Sequence, residues 1–193
     1  YCCFNNTYKI TPKILDSWCR ILKGSDDSVL IIYADNDLAK LNLIKEITLR
    51  GIDSARLIFG ERLSIPEYLA RYRVVDLFLD THPYNAGTTA SDALWMNLPV
   101  LTRIGNSFAS RVAASLLNAV NLPEMITTSQ EEYESLAIQL AKKPKKLKLI
   151  KEKLANNLKT CPLYNTPLFT KNLEAAFFKM FERYHNELDP DNI

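Results

Sequence analysis

The residues best placed to do chemistry lie between Gly87 and Asp92. Thr88 and Thr89 follow Gly87 directly, and Asp92 comes three positions after Thr89. Two hydroxyls at the start of a helix make an anion site. The free N–H groups of the first turn and the helix dipole both favour phosphate there. A glycine in front lets the backbone approach a ligand closely. A carboxylate one turn further in can accept two hydrogen bonds from a ribose diol. The same residues admit a purely local reading, because Thr89-x-x-Asp92 also matches a capping box. Lys9 follows the first apolar run and could neutralise a phosphate, although a solvated loop lysine is the commoner case. The two histidines, His82 and His185, complete no Cys–His or Ser–His–Asp arrangement. Cys2, Cys3, Cys19 and Cys161 lack metal-ligand spacing and read as apolar filler in a reducing compartment.

These residues need a scaffold, and the chain supplies a regular one. Val74 to Leu79 is short, mostly apolar and rich in β-branched residues, which predicts a buried parallel strand. Asp80 to Gly87 carries Pro, Asn and Gly and predicts a loop. Thr89 to Met96 then predicts a helix. Further strands are expected at Tyr1–Asn6, Ser28–Tyr33, Arg56–Phe59 and Pro99–Thr102, with a short one at Met125–Ile126. Helices are expected from Pro12 (after Thr11 as N-cap) to Leu22, over Leu38–Leu49, Ile65–Tyr72, Phe108–Ala119 and Ser129–Lys142, then over Lys145–Lys159 and Leu168–Asn186. This alternation predicts an α/β fold with a doubly wound, mostly parallel sheet covered on both faces. Ligands in such sheets sit at the carboxyl ends of the strands. The loops to read are therefore Asn5–Lys9, Gly60–Ser64, Asp80–Thr89 and Arg103–Ser107.

Composition narrows the classes. With 193 residues, 47% of them apolar, the chain can bury a full core. We expect one main unit over residues 1–160, with a C-terminal loop and helix over 161–193 packing on it or on a preceding half. The net charge of +2 gives no case for nucleic acid. No apolar run is long enough to span a membrane, and no signal-peptide pattern precedes the first strand, so a cytoplasmic location is expected. The chain opens at Tyr1 without Met, which suggests a segment of a longer protein. Lysines crowd Lys142 to Lys153; the alternatives are an anionic docking patch and a solvated helix face, and the second is the commoner. Phe169, Phe177, Phe178, Phe181 and Tyr184 recur at near-helical spacing and read as a packing stripe, part of which could face a neighbour outside this chain.

The run from Leu79 to Trp95 (LDTHPYNAGTTASDALW) closely resembles the donor-site signature of O-linked N-acetylglucosamine transferases, the TPR-associated, SPINDLY-like protein glycosyltransferases and their bacterial relatives. The resemblance continues through Phe108–Ser115 and Pro162–Thr166, and begins at Phe4–Ile10. It implies a Rossmann-like domain, the C-terminal half of a GT-B glycosyltransferase, with the acceptor half and helical repeats lying upstream. It implies an inverting protein O-glycosyltransferase whose donor is UDP-N-acetylglucosamine and whose acceptor is a Ser or Thr hydroxyl of a protein. Carried over by position, Lys9 matches the lysine on the donor diphosphate and serves as the catalytic cation, with Asn6 in place of a neighbouring glutamine. The Leu63 backbone meets the uracil edge, Arg71 lies beside the base, and Tyr68 replaces a stacking histidine. Thr88 and Thr89 match the phosphate pair, and Asp92 the ribose-binding aspartate.

Three departures touch the identity of the donor. Ile65 stands where some relatives have a ribose-contacting lysine, Gly87 where many have histidine, and Asn6 is shorter than the glutamine it replaces. No cofactor and no metal are expected, because no carboxylate cluster is present; the donor itself is the ligand. The general base is expected outside this chain, so the chain alone should not catalyse transfer. The alternatives are a GT-B enzyme with another donor or a small acceptor, and a nucleotide-binding module that turns over no sugar.

Overall fold

The computed structural model describes residues 1–193. Six strands form one parallel sheet: β1 (Cys2–Cys3), β2 (Leu30–Tyr33), β3 (Leu57–Gly60), β4 (Phe78–Leu79), β5 (Val100–Arg103) and β6 (Ile126–Thr127). Their spatial order is β3-β2-β1-β4-β5-β6, and every pair is parallel. The chain builds outward from β1 to β3, returns to the middle, and builds outward again from β4. The reversal places a topological switch point between β1 and β4, where an open α/β sheet parts to admit a ligand.

Eight α-helices connect or flank the strands: α1 (Pro12–Lys23), α2 (Asp37–Leu49), α3 (Ile65–Ala70), α4 (Thr88–Trp95), α5 (Val112–Ala119), α6 (Gln130–Lys142), α7 (Pro144–Asn157) and α8 (Thr166–His185). Their ends follow from local chemistry. The Thr11 hydroxyl accepts from the Ile14 N–H at 3.3 Å, with Pro12 at the first helical position, so α1 starts where the sequence says it must. Ser129 and Glu132 make both halves of a capping box at α6. Gly51 takes φ of 74° just past α2, the left-handed turn that closes a helix and that glycine adopts without strain.

The core is one continuous apolar cluster around the sheet. Trp18 of α1 lies at its centre, fully buried, and its indole N–H donates to the Tyr133 hydroxyl at 3.1 Å. That hydroxyl donates in turn to the Asp80 carbonyl at 3.0 Å. Truncating such an aromatic costs about 3–5 kcal/mol, and here it would also leave a buried hydroxyl without a donor.

Some expected boundaries move. The strand expected over Val74–Leu79 is ordered as a strand only at Phe78–Leu79; residues Arg71–Val74 make a 3-10 turn and Val74 is 78% exposed. Phe78 pairs in register with both β1 and β5 and Leu79 with β5, and a strand extends only as far as its neighbours can pair with it. The same limit shortens the first strand to Cys2–Cys3. The helix expected over Phe108–Ala119 splits into a 3-10 turn at Phe108–Ser110, held by reciprocal Ser107 and Ser110 bonds, and α5. The lysine-rich helix is a surface face with local partners: Lys151 pairs with Asp76 at 2.9 Å, Lys153 with Glu124 at 2.7 Å, and Lys148 faces Glu152 at 3.8 Å. At the C-terminus, the Tyr164 hydroxyl donates to the Ser91 carbonyl at 2.7 Å and its ring meets Trp95 edge-on, pinning residues 162–164 to α4. Helix α8 buries none of its own residues, and Phe169, Phe177, Phe178, Phe181 and Tyr184 are exposed.

Candidate functional site

The carboxyl ends of β1 and β4 are tied together by one buried acid. Asp80, 1% exposed, follows β4 directly. Its carboxylate accepts from the N–H groups of Thr81 and Ala86, both at 2.7 Å, which folds the Asp80–Gly87 loop over it. It also accepts from the Thr102 hydroxyl of β5 at 2.7 Å and from the Asn5 amide beyond β1 at 3.3 Å. Burial pushes its pKa up to about 6, while the four donors pull the other way. At neutral pH it is therefore a charged acceptor, and every partner on it is a donor. Asn5, also buried, passes the connection on. Its amide donates to the Thr81 hydroxyl at 2.8 Å, and its carbonyl oxygen takes the Thr89 hydroxyl in a short bond. Three strand ends and α4 thus share one hydrogen-bonded network, and networks of this kind fix geometry when fully satisfied.

That network aims the start of α4. The helix begins at Thr88 with Gly87 as N-cap, and no side chain caps it. The capping-box reading of Thr89 and Asp92 is therefore overturned. Thr89 is the second helical residue, its hydroxyl is turned to Asn5, and Asp92 is the fifth. The backbone N–H groups of Thr88, Thr89 and Ala90 have no acceptor within the protein. They adjoin a cleft of about 500 Å³ lined by residues from three loops, among them Asn5, Asn6, Lys9, Gly87, Thr88 and Thr89. Tyr84 and Phe108 complete its walls. The Lys9 ammonium is not freely solvated. It donates to the Asn85 carbonyl at 3.0 Å and lies 3.9 Å over the Tyr84 ring. A lysine so held is a fixed positive charge beside a helix N-terminus. A Cβ on Gly87 would meet nothing closer than Val112 at 3.8 Å, so the space beside it is open toward the cleft.

The remaining expected site residues form an adjoining wall. The Asp92 carboxylate accepts from the Tyr68 hydroxyl at 3.0 Å, and Tyr68 exchanges a 2.6 Å hydrogen bond with Tyr72. The Tyr72 hydroxyl reaches the Thr89 carbonyl at 3.2 Å. Arg71 stacks its guanidinium 4.1 Å over Phe4 and 4.8 Å over Tyr68, and donates to the Glu61 carbonyl at 3.0 Å. Phe4 lines the cleft, so Arg71, Tyr68 and Asp92 join it through the Phe4 ring. Leu63 stands apart, in the loop before α3 with its side chain 40% exposed. Burial raises the Tyr68 hydroxyl to about 12, so it remains a donor to Asp92. Sequence reasoning quoted Asp80, Asn5 and Tyr84 without giving them a role. The signal was there for Asp80, because a polar residue directly after a buried strand is itself buried only if it is paired.

An all-parallel sheet with an anion-ready helix end and a held lysine at its switch point defines a Rossmann-like ligand-binding domain. The comparisons make the kinship particular: residues 1–173 match the model of glycosyl transferase family 41, and the chain belongs to that family. It is 36% identical over its whole length to the probable UDP-N-acetylglucosamine-peptide N-acetylglucosaminyltransferase SEC of Arabidopsis thaliana, and 31% identical to the corresponding Caenorhabditis elegans protein. It covers 20% and 17% of those relatives, about a fifth of their length. Among solved structures it superposes on an O-GlcNAc transferase variant of Thermobaculum terrenum with a TM-score of 0.86 at 32% identity, covering 93% of this chain and 35% of that one. The C-terminal domain of a group 1 glycosyl transferase (LpcC) of Francisella tularensis shares the fold alone, with a TM-score of 0.62 at 17% identity over 82% of this chain and 84% of that one. No helix is long and apolar enough to cross a membrane.

Proposed function

We propose that this chain is the donor-binding half of an inverting protein O-glycosyltransferase, holding UDP-N-acetylglucosamine for transfer to a Ser or Thr hydroxyl. One observation carries the reading: the unpaired N–H groups of the α4 N-terminus and the fixed Lys9 ammonium adjoin the same cleft. The names of the relatives supply the sugar, the nucleotide and the peptide acceptor. In this reading the diphosphate lies against Lys9, Thr88 and the first turn of α4. The ribose diol meets Asp92, the base lies along Tyr68 and Arg71, and its edge reaches the Leu63 backbone. Asn6 borders the diphosphate beside Lys9.

The chemistry follows from charge. The acceptor oxygen forms a bond to the anomeric carbon as the bond to the diphosphate oxygen breaks, and the electron pair leaves on the nucleoside diphosphate. Negative charge grows on that oxygen, where Lys9 and the helix N–H groups stand ready without rearranging, and preorganised donors of this kind are the largest ordinary contribution to such catalysis. No three His, Cys, Asp or Glu side chains cluster as a metal site, so we assign the charge balance to Lys9 and α4. The acceptor hydroxyl's proton leaves to a base outside this chain, in a preceding half with repeats that bind the protein acceptor. The four free cysteines fit a reducing, cytoplasmic setting.

Calorimetry of the chain with UDP, GDP, UDP-N-acetylglucosamine and UDP-glucose tests the reading. The expected result is saturable binding of UDP and its N-acetylglucosamine conjugate, with GDP weaker. Tighter binding of GDP overturns the choice of donor, and no nucleotide binding overturns the site.

A further inference from the structure

The Asp80–Gly87 loop has two sides, and only one faces the cleft described above. On the other, His82 and Pro83 wall a second cleft of about 520 Å³ between α1 and α6. Its lining includes Thr11, Lys13, Arg103, Gln130 and Tyr133, with no carboxylate among them. Both of its permanent cations are unpaired. Neither Lys13 nor the Arg103 guanidinium takes part in any ion pair or side-chain hydrogen bond within the protein. The Arg103 Nε is shut off from solvent, so the outer nitrogens of the guanidinium are the ones that can meet a ligand in the cleft.

The surroundings are shaped for an acceptor from outside. Lys13 is the second residue of α1, and its backbone N–H has no acceptor in the protein. It therefore adds a dipole-backed donor to the two side-chain cations. The His82 ring lies with Nδ1 3.4 Å from the Arg103 carbonyl. A proton on Nδ1 makes that contact a hydrogen bond and leaves Nε2 as the ring's other polar atom. Burial and the neighbouring Arg103 charge lower the imidazole's pKa. The wall behind it is closely packed: a Cβ at Gly105 would fall 2.5 Å from Ser110 Oγ and 3.0 Å from His82 Cε1. The nearby carboxylate Glu134 is already taken by Arg20, which donates to both of its oxygens at 2.8 and 2.7 Å.

We propose that this α1–α6 cleft is a second binding site, distinct from the donor cleft, for a small molecule carrying an oxyanion, either phosphate or carboxylate. The planar fork of Arg103 matches either group in a bidentate fashion, Lys13 supplies a point charge, and its N–H completes the cradle. The inference stands on its own residues and does not need the donor reading to hold.

The test is calorimetry of the full 193-residue chain with inorganic phosphate and, separately, with malonate. Each titration is made with the donor cleft filled by excess UDP. Saturable binding of either probe is expected, weakened about tenfold or more by Arg103→Met and also weakened by Lys13→Gln. The tighter of the two probes identifies the oxyanion. Lys13 is exposed, so Lys13→Gln remains informative should Arg103→Met fold poorly. If UDP itself does not bind, the donor reading fails alone, and the titrations are then made on Lys9→Ala protein, which lacks the donor cleft's cation. No saturable binding of phosphate or malonate overturns the proposal. So does binding that both variants leave unchanged.

Discussion

Asp92→Asn separates a ligand-binding carboxylate from a structural one, and the structure fixes what each role predicts. Asp92 is the fifth residue of α4 and caps nothing, so the substitution leaves the helix end intact. Its single protein partner is the Tyr68 hydroxyl at 3.0 Å, and an asparagine carbonyl oxygen can still accept that bond. The structural loss is then the difference between a charged and a neutral acceptor, about 1 kcal/mol. With ribose bound, the demand on the side chain is greater. The carboxylate must hold the Tyr68 hydroxyl and the sugar diol together, and Asn has one acceptor oxygen where Asp has two. At least one hydrogen bond to a charged group disappears, worth about 1.5–3 kcal/mol, or roughly ten- to hundred-fold in Kd. Calorimetry with UDP and with uridine, alongside melting with and without UDP, measures both. Asp92→Asn should weaken both ligands and shrink the UDP-induced rise in Tm while moving the free Tm little. Thr88→Ala, placed at the phosphates, should weaken UDP and spare uridine. An Asp92→Asn protein that binds uridine normally and melts early would refute the ribose assignment.

Lys9→Ala in the longer enzyme should lower turnover by roughly two to four orders of magnitude, the scale of removing one preorganised charge donor; turnover within a few-fold of wild type would return Lys9 to a structural role on Tyr84 and Asn85. Transfer by that enzyme should survive EDTA, and loss on chelation with recovery on adding Mn²⁺ would reject the lysine-and-helix account. Asp80 should leave a signature in stability against pH. Its folded pKa of about 6 exceeds the ordinary 3.8, so the folded chain holds a proton that the unfolded chain releases. The stability Asp80 contributes is therefore fullest below pH 4 and falls as pH rises through 6, by about 3 kcal/mol at 1.36 per unit. Denaturation of wild type and Asp80→Asn from pH 4 to 7 should show wild type losing ground to the variant across that window, and a constant difference would refute it.

Much of this fold was legible because its signals are local. Alternating apolar runs and amphipathic segments gave six strands and their helices, and Thr11-Pro12 and Ser129-x-x-Glu132 marked helix starts that the structure keeps. The misplacements have one cause. Val74 and Val75 carry strand-forming side chains, but backbone partners on β1 and β5 exist only from Leu77 onward, and partners come from tertiary structure. The site divides in the same way. Thr88, Thr89 and Lys9 could be named because they sit where a parallel sheet must bring loops together, whereas Asn6 was named through the family resemblance. Asn5 and Asp80 were harder, since 75 residues separate them and their pairing exists only once β1 and β4 lie side by side. The local rule misled at Thr89 and Asp92, where capping-box spacing coincides with a helix whose N-cap, Gly87, lies two residues earlier.

The shortness of β1 has a consequence for chemical labelling. Both of its residues are cysteines, essentially without exposure, and they occupy the middle of the sheet beside the switch point. Burial raises both thiols above their ordinary range, so neither offers a thiolate to a reagent while the sheet is closed. Cys161, half-buried on the connection to α8, is the one cysteine of the four that is not buried. The modification rate of Cys2 and Cys3 is therefore a clock for opening of the sheet around β1, on its β2 side as well as its β4 side. A ligand that bridges the loops after β1 and β4 slows that clock in proportion to how firmly it holds them together. The chain thus carries a built-in occupancy reporter, two residues away from Asn5 and with no residue substituted.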